Sequence, residues 1–277
     1  MDLEDFKSVY QFLKKEKPDA VILAAAKVGG IEANSINQKD FLLQNLKIQN
    51  SVIEAASLLQ IRNLLFLGSS CIYPKFAVQP ISEESLLKGQ LEPTNEGYAI
   101  AKIAGIKLCR SIFEELKLNY FSLMPTNLYG PNDNFDPKVS HVPAALLRKF
   151  HEAKVAGSSE VVVWGSGTPR REFMHVDDMA DACWFMLGQE AGGELINVGT
   201  GNDIEIREFA LLIAKIVGFE GEIVFDTTKP DGTPRKVLDV SKIHSFGWKH
   251  RIDLVDGMEA TYAWYKHALE RGEVRGQ

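Results

Sequence analysis

Short apolar runs alternate with helically spaced ones through residues 3–124, and that alternation admits few folds. Leu3, Phe6, Val9, Tyr10 and Leu13 recur at helical spacing in residues 3–16, and Val21–Ala26 follows as a buried strand. A helix is predicted from about Asp40 to Leu59, then a strand Leu64–Leu67, a polar loop to Asn95 and a helix to about Leu116. The strand Tyr120–Met124 comes next, with Pro125 ending its ladder. Helix, strand, helix, strand, helix, strand joined by right-handed crossovers describes an α/β fold with a doubly wound parallel sheet. Beyond Gly130 the order loosens into a helix from about Pro143, a strand Val161–Trp164 and shorter elements with glycine turns. We expect a sheet domain over residues 1–140 and a smaller C-terminal α/β lobe over 141–277, interleaved with the last sheet elements.

With 277 residues, 45% hydrophobic and 25% charged, the chain can bury a core of ordinary globular size. Its 31 Lys and Arg stand against 37 Asp and Glu, a net charge of −6, and the basic residues are interspersed, so a nucleic-acid partner is not expected. No apolar run reaches the roughly 18 residues of a membrane helix, and the acidic, helical start is unlike a secretory signal; a cytoplasmic protein is expected. Cys71, Cys109 and Cys183 are odd in number and widely spaced, which excludes a complete disulfide framework and gives no metal-site spacing.

In an open parallel sheet, ligands bind outside the carboxyl ends of the strands. Four strand ends are rich in small or polar residues: Lys27-Val28-Gly29-Gly30, Gly68-Ser69-Ser70-Cys71, Pro125-Thr126-Asn127-Leu128-Tyr129-Gly130 and Gly165-Ser166-Gly167. Each alone reads as a tight turn; together they point to a site. Tyr98 and Lys102 lie four apart on a predicted helix, where an ammonium beside a phenol favours the phenolate. The same spacing recurs at Tyr10/Lys14 and Tyr262/Lys266 on amphipathic helices, so only context separates the first pair: it opens the helix after the loop that follows Ser69-Ser70-Cys71.

This combination resembles the extended short-chain dehydrogenase/reductase family. The ordered set Lys27–Gly30, Gly68–Pro74, Tyr98–Lys102, Pro125–Pro131, Ser140-His141-Val142 and Lys229–Lys236 is similar, within it, to the GDP-L-fucose synthases. The resemblance implies NADP(H) as cofactor, a GDP-sugar as substrate, and epimerisation at C3 and C5 followed by reduction of the C4 ketone. It implies catalytic roles for Tyr98, Lys102, Ser69, Cys71 and His141, and a cofactor site of Leu67, Gly68, Ser69, Ser70, Lys102, Pro125, Thr126, Asn127, Leu128 and His141. Substrate contacts fall on Lys149, Trp164, Arg171 and Asp231, with Arg235 a weaker candidate; no metal is implied. A homodimer is implied through the helices at about Asp40–Leu59 and Asn95–Leu116. Cys109 and Cys183 sit in apolar helical patterns and read as inert core thiols.

The family's opening strand, glycine-rich turn and helix have no counterpart here: no Gly-x-x-Gly-x-x-Gly occurs. About forty residues, a βαβ unit with its flanks, would be absent, leaving Val21–Ala26 as an apolar sheet edge prone to self-pairing. Two other readings therefore stay open: another nucleotide-sugar epimerase or dehydratase, or an inactive fragment that binds the sugar nucleotide alone.

Overall fold

The computed structural model describes residues 1–137, 139–229 and 231–276. Pro230 of the Lys229–Lys236 motif and Gln277 of the C-terminal lobe lie outside the described residues.

Asp5 opens α1 (Phe6–Glu16) by accepting from the Lys7 and Ser8 amides at 3.2 Å each, and Val9 and Leu13 form its buried stripe. The strand β1 (Ala20–Leu23) is shorter than the Val21–Ala26 expected from apolarity, and a short helix α2 (Ile31–Ile36), not anticipated, follows Gly30. Then come α3 (Gln38–Leu58), β2 (Asn63–Leu67), α4 (Glu96–Leu116) and β3 (Asn119–Pro125). The second half runs β4 (Asn127–Tyr129), α5 (Val142–Ala156), β5 (Glu160–Trp164), β6 (Arg170–Arg171), β7 (Phe173–His175), α6 (Val176–Leu187) and β8 (Leu195–Val198). It ends with β9 (Ile204–Glu205), α7 (Ile206–Val217), β10 (Glu222–Asp226), β11 (Arg235–Lys236), α8 (Ser241–Ser245) and α9 (Leu254–Arg271).

The main sheet is four parallel strands in the order β1-β2-β3-β8, with β1 at an edge. Helices cover its strands, so β2 and β3 read as near-continuous apolar runs: Leu64, Leu65, Phe66, Tyr120, Phe121, Leu123 and Met124 are all fully buried. Pro125 ends β3 as the partner of Val198, still inside the ladder at its last position. β5, which ends in Trp164, pairs with β10 in a separate two-stranded sheet, and the strand that completes the main sheet is β8. Val161–Trp164 is apolar enough for a central strand, but α5, α7 and α9 build a second core around it from Leu147, Phe150, Phe209, Ile213 and Tyr265.

Three short strands form a further sheet in the order β11-β6-β9. β11 runs parallel to β6 with Arg235 opposite Arg170 and Lys236 opposite Arg171. Successive side chains of a strand point to opposite faces. On one face the buried Asp203 takes Arg170 Nε at 2.8 Å and Arg235 Nε, so Arg235 is tied up there as a clamp. The alternate face carries Arg171 and Lys236.

Candidate active site

The backbone leaves β2 at Leu67, passes Gly68, and turns at Ser69 into a short 3-10 turn, Ser70–Ile72; Ser69 Oγ caps it by accepting from the Cys71 amide at 3.2 Å. The helix α4 packs beside this exit and brings Tyr98 and Lys102, one turn apart, to it. Ser69 hydrogen-bonds the Tyr98 hydroxyl, and Cys71 is close enough for its charge to act on the phenol. Burial pushes the Tyr98 pKa well above the ordinary value and the Cys71 thiolate adds to the rise, with only the Ser69 hydrogen bond opposing. The residue spacing had suggested phenolate stabilisation by Lys102; its ammonium lies 5.9 Å from the Tyr98 ring and desolvation dominates, so the phenol stays protonated.

Lys102 is only 3% exposed. Its ammonium donates to Leu67 O at 2.7 Å and sits 4.7 Å over the Phe66 ring, with no carboxylate partner among the described residues. Burial lowers its pKa to about 8. The group is charged below that pH and loses its charge above it. We expect NADP(H) affinity to fall as pH rises through about 8 and expect Lys102→Arg, charged throughout, to bind more weakly but with a flat profile. Titrating NADP+ fluorimetrically on either side of this pH checks both, and a flat wild-type profile would count against an ammonium contact.

At the neighbouring exit, Thr126 N donates to Val198 O at 2.9 Å, and Asn127 Nδ2 and Thr126 Oγ1 donate to Glu172 O at 2.9 and 3.3 Å. Pro125 and Leu128 complete this exit beside the Ser69–Ser70 turn, both strands belonging to one sheet. A buried ammonium with donors to spare and two adjacent strand exits suit the nicotinamide and ribose end of a dinucleotide.

The residues expected to hold substrate gather around the end of β5. Trp164 is 65% exposed, which excludes an ordinary core role, and Lys229 Nζ lies 5.5 Å over its ring. Lys149 of α5 donates to Val162 O. Asp231 accepts from Ser166 N at 2.6 Å and Ser166 Oγ at 2.9 Å; Gly165, at φ +83°, is required there because a Cβ would overlap the Asp231 carboxylate. Arg171 donates to Arg170 O at 2.9 Å and makes no ion pair among the described residues; burial lowers its pKa while Asp231 opposes. A half-buried guanidinium without a carboxylate on it is a ready seat for a diphosphate.

His141 belongs to a different element. It is the exposed N-cap residue of α5, without a side-chain capping bond, and its charge acts on Asp133; no direct contact joins it to Ser69, Cys71 or Tyr98 among the described residues. Cys109 and Cys183 are buried, their thiols pushed up to about 12 and about 11. Lys236 was not singled out from sequence, yet its ammonium lies 3.6 Å from Cys71 Sγ. The signal was available in principle: two adjacent cations opposite two others on paired strands must divide between two faces.

The model of the NAD dependent epimerase/dehydratase family matches residues 1–199, and the chain belongs to that family. It is 57% identical over 265 residues to "GDP-L-fucose synthase 1" of Arabidopsis thaliana, covering 96% of this chain and 82% of that protein. It is 54% identical over 282 residues to the GDP-L-fucose synthase of Escherichia coli (strain K12), covering 98% of this chain and 87% of the relative. The NADP-bound crystal structure of a GDP-L-fucose synthetase from Naegleria fowleri superposes with a TM-score of 0.88 at 28% identity, over 99% of this chain and 84% of that one.

Proposed function

We propose that the chain is a GDP-L-fucose synthase: it epimerises GDP-4-dehydro-6-deoxy-D-mannose at C3 and C5 and reduces the C4 ketone with NADPH. One observation carries this reading. A neutral phenol, a hydroxyl and a thiol share one strand end, with a buried cation behind the phenol and a second cation on the sulfur.

Ser69 and Tyr98 donate hydrogen bonds to the C4 oxygen, so the neighbouring C3 and C5 hydrogens become acidic as charge moves onto it. Cys71, with the Lys236 ammonium 3.6 Å from its sulfur, exchanges protons on one face of the sugar, and His141 serves the opposite face. For each inversion one group removes a proton and the other delivers one; both then return to their starting states through solvent. The hydride that reaches C4 would come from NADPH held at the exits lined by Lys102 and Asn127. Tyr98 gives its proton to the oxygen that receives the new charge, and Lys102 holds the ribose and balances the phenolate left behind. Arg171 and Lys149 meet the diphosphate, Trp164 offers its open face to the base, and Asp231 holds the Ser166 turn under them.

Two copies assemble through α3 and α4 in the same reading, where Leu43 and Ile100 are each nearly half exposed. We expect Ile100→Glu to yield monomers by light scattering, and an unchanged mass would remove α4 from the interface. No described helix is long and apolar enough to cross a membrane, and three free thiols suit a reducing cytoplasm.

The deciding experiment is turnover in D2O. Incubation with NADPH and the ketosugar nucleotide should give GDP-L-fucose carrying deuterium at C3 and C5, one NADPH consumed per product. A reduced sugar with the original C3 and C5 configuration would refute the proposal.

A further inference from the structure

We infer that Glu172 is a positioning residue for this reaction, its buried carboxylate fixing the substrate-holding strand β6 against the strand exit that borders the nicotinamide. The inference rests on the function proposed above and adds a residue to which neither the site motifs nor the resemblance assigns a role.

Glu172 is 0% exposed and lies in the single-residue link between β6 and β7. It sits between two arginines' worth of positive charge and a hydrophobic strand, yet its carboxylate makes no ion pair among the described residues. Instead Oε1 accepts from the amides of Thr200 at 2.6 Å and Gly201 at 2.7 Å, and Oε2 accepts from the Leu238 amide at 2.9 Å. Three backbone donors from two separate segments hold one side chain, the loop after β8 on one oxygen and the residue two beyond β11 on the other. Rotating the carboxylate would orphan the buried Leu238 amide on one side and the part-buried Thr200 and Gly201 amides on the other. Burial raises the pKa of this carboxyl while the same amides oppose the rise.

The main chain of the same residue completes the joint. Glu172 O accepts from Asn127 Nδ2 and Thr126 Oγ1, and Glu172 N donates to Lys236 O at 3.3 Å. One step earlier in sequence is Arg171, and Lys236, the cation on Cys71, is the strand neighbour of Arg171. A single buried residue therefore touches the exits of β3, β8 and β11 and sits next to the guanidinium that seats the diphosphate. The fit is close: Gly199, at the start of the loop after β8, has no space for a Cβ because it would overlap Glu172 Oε1. A displacement of residue 172 moves the carbonyl that orients Asn127, and hydride transfer tolerates little misplacement between donor and acceptor carbons. Proton exchange at C3 and C5 is served by Cys71 and His141; the hydrogen bonds that hold the Ser69–Cys71 turn do not include Glu172, whose bond to Lys236 is between main chains and survives a change of side chain.

Glu172→Gln tests this, because it preserves volume but turns an amide N–H2 toward amide donors. We expect single-turnover reduction to slow at least about tenfold with a larger primary isotope effect from deuterated NADPH, and solvent deuterium exchange at C3 and C5 without NADPH to stay within about threefold of wild type. We also expect hydrogen exchange of the backbone amides at 126–128 to speed up in the unliganded variant, alongside 199–201. Equal losses in reduction and exchange, no loss in either, or unchanged protection at 126–128 would each overturn the inference. Gly199→Ala, which displaces the carboxylate without removing it, is the second variant, and the same split is expected. A wild-type chain that fails to turn over refutes the proposed function alone, since the amide-exchange comparison still decides whether Glu172 governs Asn127.

Discussion

Tyr98→Phe is expected to slow NADPH-dependent reduction by roughly 10²- to 10⁴-fold while leaving NADPH affinity nearly unchanged. The size follows from the state in which the phenol is held. Desolvation and the negative charge of Cys71 keep it protonated, and the Ser69 hydrogen bond fixes its hydroxyl beside the strand end. A protonated phenol is the form that can deliver a proton to an oxygen gaining charge at C4. Phe removes that proton and leaves the ring packing, so the loss belongs in the chemical step. Stopped-flow single turnovers separate the step from binding; a loss below about tenfold would mean that water or another residue donates.

Cys71→Ser should have an effect of similar size on a different step. Serine keeps the volume and the 3-10 turn but is a far weaker base than a thiolate, so solvent exchange at the carbon served by this face should fall by roughly 10²- to 10⁴-fold. Hydride transfer in the reverse direction, from GDP-L-fucose to NADP+, should persist, because it needs Tyr98 and Lys102 rather than the sulfur. Lys236→Met should lower exchange in the same direction by a smaller factor, since its ammonium lies 3.6 Å from the sulfur. Wild-type rates of deuterium entry at both C3 and C5 in Cys71→Ser would remove the thiol from the mechanism. The two substitutions thus separate the steps: reverse hydride transfer needs the Tyr98 hydroxyl and not the thiol, whereas proton exchange draws on both.

Much of the main sheet was legible because its signals are local. Asp5 caps α1, the buried run of β2 is apolar from Leu64 on and that of β3 is broken only by Ser122, and the small residues after each strand mark where the chain turns at the carboxyl end. Tyr98 and Lys102 were readable from helical spacing once the preceding strand end was placed. The partner of Val161–Trp164 was not legible because strand pairing is a long-range choice: β5 chose β10, some sixty residues on, and nothing within β5 records that partner. Glu172 was invisible for a related reason. Its partners are backbone amides at 200, 201 and 238, and backbone amides carry no sequence signature. A carboxylate beside Arg170 and Arg171 has the look of one more exposed charge, whereas Asp203 captures Arg170 and Glu172 faces inward. The Tyr98 pKa, too, depends on depth rather than spacing, and depth is set by how closely α4 lies on β2.

The position of β8 bears on how the molecule is made. Its partner β3 ends at Pro125, and β8 itself begins at Leu195, so an emerging nascent chain exposes one flank of β3 while α5, β5 and α6 are still being synthesised. Closing the sheet requires a contact across about seventy residues, which slows assembly and lengthens the time that Phe121 and Leu123 lack their final neighbours. A cut between residues 140 and 141 would therefore not release two autonomous modules: the first piece would lack the strand that seals it, and the second would carry that strand with nothing to dock against. Chaperone dependence during translation, and co-expression of the two pieces in place of either alone, are the practical corollaries of one strand arriving late.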